Sequence, residues 1–236
     1  MESRYLDLLR ERVLVFDGAM GTRLQAGGLT AADFGGPERE GCLDLLSLTR
    51  PDLVAAVHEA YFDAGADVVE TNSFQASRVR LDEWGLGERT LELNRAAAAV
   101  ARGVADRRER ADGRPRLVAG SMGPSGVLPS SEDPELGRLG LEELIEAFRP
   151  QAQGLIEGGA DLLILETGQD LLEMKAQVLA AREAFAATGR RLPLQCSVSL
   201  DPNGRMLLGT DVAAALAVFE ALGVEVVGLN CSTGPD

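Results

Sequence analysis

The sequence predicts an α/β fold of the (β/α)8 TIM-barrel type, with about six βα units present. Three observations carry this expectation. Short apolar runs alternate with longer helical stretches, as in a parallel sheet covered by helices. A junction signature recurs where helix gives way to strand: Gly65-Ala66-Asp67, Gly159-Ala160-Asp161 and Gly223-Val224-Glu225 each set a helix-ending glycine before an apolar residue, an acid and an apolar run. Nearly every apolar run then stops at an acid, amide, hydroxyl or thiol, and in barrels the chemistry sits at these carboxyl ends. The rival is an open doubly wound sheet. A dinucleotide binder of that type would usually show G-x-G-x-x-G after its first strand, whereas this chain shows Asp17-Gly18-Ala19-Met20-Gly21-Thr22.

The elements follow in order. A strand at 13–16 ends at Asp17, and the Gly/Pro-rich segment 27–41 reads as loop. A helix over 51–64 opens with Pro51-Asp52, where the missing N–H is harmless and the acid meets the helix dipole. The strand at 68–69 ends in Glu70-Thr71-Asn72, and a helix over 88–110 follows. The strand at 117–119 leads into Gly120-Ser121-Met122-Gly123-Pro124 and a second Gly/Pro-rich loop, 120–140. Glu142-Glu143 open a helix over 141–157, the strand at 162–165 ends in Glu166-Thr167, and a helix spans 171–187. A strand at 194–200, a helix over 211–222 and a strand at 226–229 complete the series, the last ending at Asn230-Cys231. No linker or low-complexity tract divides the chain, so residues 1–236 are expected to form the N-terminal part of one barrel domain.

Composition narrows the function. The 236 residues are 45% apolar and 25% charged with mean hydropathy +0.00, and no apolar run approaches a membrane span. The start, Met1-Glu2-Ser3-Arg4, lacks a signal-peptide profile, so a cytoplasmic location is expected. A net charge of −14 repels phosphate backbones and argues against nucleic acid. His58 is the only histidine and Lys175 the only lysine, which excludes multi-histidine metal sites and leaves little room for Ser-His-Asp or Schiff-base chemistry. Both residues fall mid-helix, and His58 reads as a satisfied structural residue. The three cysteines, Cys42, Cys196 and Cys231, are odd in number and widely spaced, unlike a disulfide framework. Cys196 lies inside a strand and reads as core.

Any chemistry therefore rests on carboxylates, hydroxyls, backbone groups or a thiol. Asp17, Glu70 and Glu166 directly follow buried strands, where charge must be paired or used. The glycines at 18 and 21 suit a tight turn whose N–H groups approach an anion. A polar amino acid, held by N–H groups at its carboxylate and by acids at its ammonium, fits these parts. A salt bridge to one of the many arginines is the alternative for Glu70 and Glu166.

Together the segments resemble the homocysteine S-methyltransferase family, closest to the homocysteine-binding module of its cobalamin-dependent members. The matching stretches are DGAMGT at 17–22, RPDLVAAVHEAYFDAGADVVETNSF at 50–74, GSMGPSG at 120–126, GGADLLILET at 158–167, DPNGRMLLGTD at 201–211 and GLNCSTGP at 228–235. The resemblance implies a zinc-dependent (β/α)8 barrel that transfers a methyl group to homocysteine sulfur, with Zn2+ held by three cysteines. Cys231 matches the first of these, and the adjacent pair that supplies the others has no counterpart in these 236 residues. It also implies that Asp17 and Glu166 hold the substrate ammonium, that Gly18, Ala19 and Ser121 lie near its carboxylate, and that Thr71 and Asn72 line the pocket. Methylcobalamin is the implied donor, supplied by cobalamin- and folate-binding domains of a larger enzyme. Relatives that use betaine or S-methylmethionine share these motifs.

Two other readings stay open. One is a magnesium-dependent barrel lyase or isomerase with Asp17, Glu70 and Glu166 as oxygen ligands. The other is an inert binding or assembly piece. On the family reading, the isolated chain is expected to bind zinc weakly or not at all and to show no turnover.

Overall fold

The computed structural model describes residues 3–232. Ahead of the sheet come the helices α1 (Arg4–Glu11), α2 (Met20–Gln25), α3 (Leu46–Thr49) and α4 (Pro51–Ala64). Then β1 (Val68–Glu70) is followed by α5 (Arg78–Asp82) and α6 (Thr90–Asp112), and β2 (Leu117–Met122) by α7 (Leu141–Glu157). The chain continues through β3 (Leu162–Gly168), α8 (Leu171–Thr188), β4 (Leu194–Val198), α9 (Val212–Ala221) and β5 (Val226–Leu229). All five strands are parallel and lie side by side in chain order, as successive βα units of a barrel require.

Several expected bounds shift, each for a local reason. The strand expected at 13–16 is a single parallel bridge, Phe16 to Val68. Val15 and Asp17 bond only toward β1, and Val13 and Val15 are 84% and 56% exposed, so no second neighbour regularises the segment. The strands expected at 117–119 and 162–165 run on to Met122 and Gly168, because each has a partner on both sides. The loop expected from 120 therefore starts after Met122. The segment 27–41, expected as loop, contains two single-turn 3-10 helices, Ala31–Phe34 and Pro37–Arg39. The short helices α1, α2, α3 and α5 have no counterpart in the periodicity reading.

Period-two alternation divides the strand residues between two apolar layers. Val68, Leu117, Ala119, Leu162 and Ile164 pack inside the sheet's curve with Leu14, around Tyr5 of α1. Tyr5 closes this inner layer by hydrogen-bonding Gln195 of β4. Val69 and Val118 face outward onto α4 and α6, while Leu163, Leu165 and Cys196 face outward onto α7 and α8. Cys196 is therefore core, as expected. His58 is fully buried on α4 with neither ring nitrogen hydrogen-bonded, so the expectation of a satisfied histidine is corrected. Burial holds the ring neutral by pushing its pKa down to about 4.

The recurring junction signature has a physical role. Gly65, Gly159 and Gly223 all take positive φ, 107°, 102° and 60°, which ends each helix sharply. The acid two residues on then accepts the N–H that starts the neighbouring strand segment and binds an arginine. Asp67 takes Val15 N–H and Arg12, Asp161 takes Val118 N–H and Arg102, and Glu225 takes Leu194 N–H and Arg191, at 2.8–3.0 Å. Each unit is thus stapled to its predecessor at the amino ends of the strands.

Candidate functional site

The inward rows of side chains run from the apolar interior to the carboxyl ends of the strands. Val68 leads to Glu70, Leu117 and Ala119 to Ser121, Leu162 and Ile164 to Glu166, and Val226 to Asn230. Because the period is two, an apolar residue packed in the interior specifies which residue reaches the mouth. A cavity of about 590 Å3 opens there. Its lining includes all eight residues singled out for the site: Asp17, Gly18, Ala19, Thr71, Asn72, Ser121, Glu166 and Cys231.

Three carboxylates share one wall. Asp17 Oδ2 accepts the Glu70 N–H at 3.0 Å, and Ser121 Oγ donates to Glu166 Oε1 at 2.6 Å. The Glu70 and Glu166 carboxyls are neighbours, and their like charges disfavour both being ionised at once. Burial comes first in raising all three, and the Glu166 and Asp17 charges push Glu70 further upward. Asp17 is moved up to about 7. Among the described residues no arginine forms an ion pair with any of them, so the salt-bridge alternative for Glu70 and Glu166 does not hold there. The wall suits a cationic ligand group.

The glycine turn differs from expectation in detail. Neither Gly18 nor Gly21 takes positive φ, and residues 18–19 lead into α2. Gly18 matters through proximity: a Cβ there would lie 3.0 Å from Tyr61 Oη, which donates to the Ala19 carbonyl at 3.1 Å. Thr71 and Asn72 are buried and already engaged. Thr71 Oγ1 accepts the Ser121 N–H at 2.9 Å, and Asn72 Nδ2 donates to the Leu43 carbonyl at 2.8 Å. They shape the wall and hold the 43–47 segment against it.

Cys231 stands exposed at the same mouth, next to the Glu166–Thr167 strand end. Beside it β3 breaks register between Leu165 and Gly168, and this irregularity puts Thr167 at φ 58°. Cys231 itself sits at φ 49°. Asn230 joins the two. Its Oδ1 accepts Thr167 N–H at 2.9 Å and Ser197 Oγ–H at 2.8 Å, while its Nδ2 donates to Thr167 Oγ1 at 2.8 Å. Nδ2 also lies 3.5 Å from both Cys231 Sγ and Glu166 Oε2.

Sequence reasoning placed Thr167 and Asn230 at strand ends without giving them a role, and it left out Asp44 and Trp84. Asn230 was legible as the end of an inward row. Thr167 is aimed by the register break, and Asp44 and Trp84 arrive on loops without a periodic signal. Buried Asp44 accepts the Gln75 N–H at 3.1 Å, and desolvation moves its pKa up to about 6. Cys42 also lines the cavity, with burial raising its thiol to about 11.

Among the described residues no group of three or more His, Cys, Asp or Glu is placed to hold a metal. For zinc, the Cys231 sulfur would be one of the three or four protein ligands such sites take.

A parallel βα array whose strand ends bring buried carboxylates and an exposed thiol to one mouth defines a protein of the TIM-barrel class. The chain belongs to the homocysteine S-methyltransferase family, whose model matches residues 14–236. It is 45% identical over 230 residues to methionine synthase of Mycobacterium tuberculosis, and 44% identical to that of Mycobacterium leprae. The matches cover 98% of this chain but only 19% and 18% of those proteins, so the chain spans about a fifth of their length. Among solved structures it is similar to the homocysteine methyltransferase MmuM of Escherichia coli. The metallated form gives TM-score 0.77 at 26% identity, covering 95% of this chain and 77% of that one. The oxidized form gives 0.79 at 26% identity, covering 98% and 77%.

Proposed function

We propose that this chain holds L-homocysteine for methyl transfer to its sulfur, giving methionine. The observation that carries the reading is the cavity itself, which gathers buried carboxylates, the Gly18–Ala19 backbone and the Cys231 thiol at one mouth. A zwitterionic amino acid with a terminal sulfur matches that set of groups.

In this reading Glu166 and Asp17 take the ammonium, with Glu70 holding a proton. The ammonium then offsets the charge left on the wall, which three ionised carboxylates would make repulsive. The N–H groups of Gly18 and Ala19 face the carboxylate, Ser121 lies near it with its hydroxyl hydrogen on Glu166, and Thr71 and Asn72 fix the wall. Anchoring both ends of the amino acid leaves its sulfur directed at Cys231. Fixing the nucleophile in this way removes much of the entropic part of the barrier.

Cys231 would be one sulfur ligand of Zn2+, and that ion, when bound, would lower the pKa of the substrate thiol so that thiolate exists near neutral pH. Transfer forms a sulfur–methyl bond as the donor's bond to the methyl breaks. The similarity to methionine synthases supports methylcobalamin as donor, presented by cobalamin- and folate-binding domains outside this chain. It also supports a cytoplasmic setting without nucleic-acid or membrane partners, and residues 1–236 as the N-terminal part of a barrel domain. Among the described residues no helix is long and apolar enough to cross a membrane.

Methionine formation from L-homocysteine and methylcobalamin in the full-length protein tests the reading. Turnover that falls on Glu166→Gln through a raised KM supports it. Full turnover with both Glu166→Gln and Asp17→Asn would overturn it.

A further inference from the structure

We propose that Asn230 is the positioning residue that holds the Cys231 sulfur at the mouth beside Glu166, acting through Thr167. The inference rests on the homocysteine-site reading and adds a component to it.

Thr167 and Cys231 are the non-glycine residues with positive φ among those described. A threonine in that region is disfavoured by its branched Cβ, so such conformations persist only where surrounding contacts enforce them. The enforcing contacts here converge on one side chain. Asn230 meets both the N–H and the hydroxyl of Thr167, at 2.9 and 2.8 Å. Its amide is held from behind by Ser197 Oγ at 2.8 Å, and its backbone carbonyl accepts Ser199 Oγ–H at 2.9 Å.

The direction of these bonds is determined by chemistry. Thr167 N–H can only donate, so the asparagine oxygen must face it and the NH2 must face Thr167 Oγ1. That hydroxyl accepts from Asn230 and keeps its own hydrogen for Cys231 Sγ, 3.9 Å away. The remaining Nδ2 hydrogen is shared between Cys231 Sγ and Glu166 Oε2, each at 3.5 Å. Donors from two residues therefore end on the sulfur, and the same amide touches the carboxylate that receives the ammonium. The task needs an acceptor and a donor on one short side chain. Aspartate lacks the donor, and leucine or alanine lacks both.

The test reads aim instead of activity. Cys231 in this chain is allowed to exchange with L-homocystine and, separately, with the neutral bis(2-hydroxyethyl) disulfide, and mass spectrometry counts adducts at Cys231. In each exchange the Cys231 thiolate attacks one sulfur, the probe's S–S bond breaks, and the other half leaves as thiolate. The ratio of the two rates cancels intrinsic thiol reactivity and reports whether the sulfur is presented to an ammonium site. The unsubstituted chain is expected to prefer homocystine. Asn230→Ala and Thr167→Val are expected to cut that preference about five- to tenfold, the scale of one net hydrogen bond. Thr167→Ser, which keeps the hydroxyl, is expected to retain it. Should Asn230→Ala fail to fold by circular dichroism, the valine–serine pair decides, since valine matches threonine in shape. An unchanged preference in Asn230→Ala and Thr167→Val overturns the inference; a loss in Asn230→Ala alone overturns the route through Thr167. No preference in the unsubstituted chain would instead defeat the homocysteine-site reading.

Discussion

The two parts of the mouth are built by different means. The acid wall stands on β1 and β3: β3 has a strand on each side, β1 has β2 on one side and the Phe16 bridge on the other, and Glu70 and Glu166 extend rows whose lower members are buried. Its geometry comes from the sheet. The sulfur rim stands on β5, at the edge of the described sheet, where Val227 and Leu229 remain 37% and 58% exposed. Its geometry comes from the Asn230 clasp and two strained backbone positions. Packing can set a carboxylate that prolongs a strand row, but a sulfur at an irregular strand end needs directional bonds.

The largest break in that contrast is expected on the rim. In the full-length protein Cys231→Ser should lower methionine formation by more than about 100-fold, more than the loss of a group that merely supports a metal ligand. Cys196→Ser should leave turnover intact and lower stability by about 1–3 kcal/mol, since it buries a hydroxyl in the layer facing α7 and α8. Equal losses of activity in steady-state assays would erase the distinction between rim and core sulfur.

On the wall, Glu166→Gln should raise the KM for L-homocysteine about 30-fold or more, the cost of removing one partner of a desolvated charge pair. A changed kcat with unchanged KM would move Glu166 out of the ammonium site. Glu70→Gln should act on stability and with a definite pH sense. Glu70 is raised above its ordinary value of 4.5, so the folded chain keeps a proton that the unfolded chain releases. That contribution is complete below pH 4.5 and is lost as pH rises through the raised value. Glutamine carries no such loss, so urea titrations should show Glu70→Gln gaining about 1–2 kcal/mol at pH 8 and nothing at pH 4. A gain confined to acid pH would reverse the assignment. The smallest effect belongs to the edge: Leu229→Ser should change stability by less than about 0.5 kcal/mol, because its side chain is already in water.

Much of the wall was legible in the sequence because its logic is periodic. Counting by two from Val68, Leu117 and Leu162 arrives at Glu70, Ser121 and Glu166, and the helix bounds of α4 and α7 follow from Pro51 and Glu143. The Gly-x-acid junctions were legible as a repeat, though their role as staples from acid to neighbouring N–H was not. What escaped was non-periodic. Thr167 reaches the mouth through a register break, and α1 places Tyr5 beneath the sheet by a contact 190 residues distant in sequence. His58 is buried without a hydrogen-bond partner, which no local pattern announces.

The sequence by itself determined the βα order, the inward rows and the residue types at each strand end, since these depend on local periodicity and on chirality of the helix-ending glycines. Only the tertiary structure decided which of those ends converge, that burial and mutual repulsion raise the Asp17, Glu70 and Glu166 carboxyls, and that Asn230 spans from carboxylate to sulfur. The reason is physical: hydrogen bonds and desolvation act over about 3 Å between groups tens of residues apart, and that proximity exists only once the strands lie side by side.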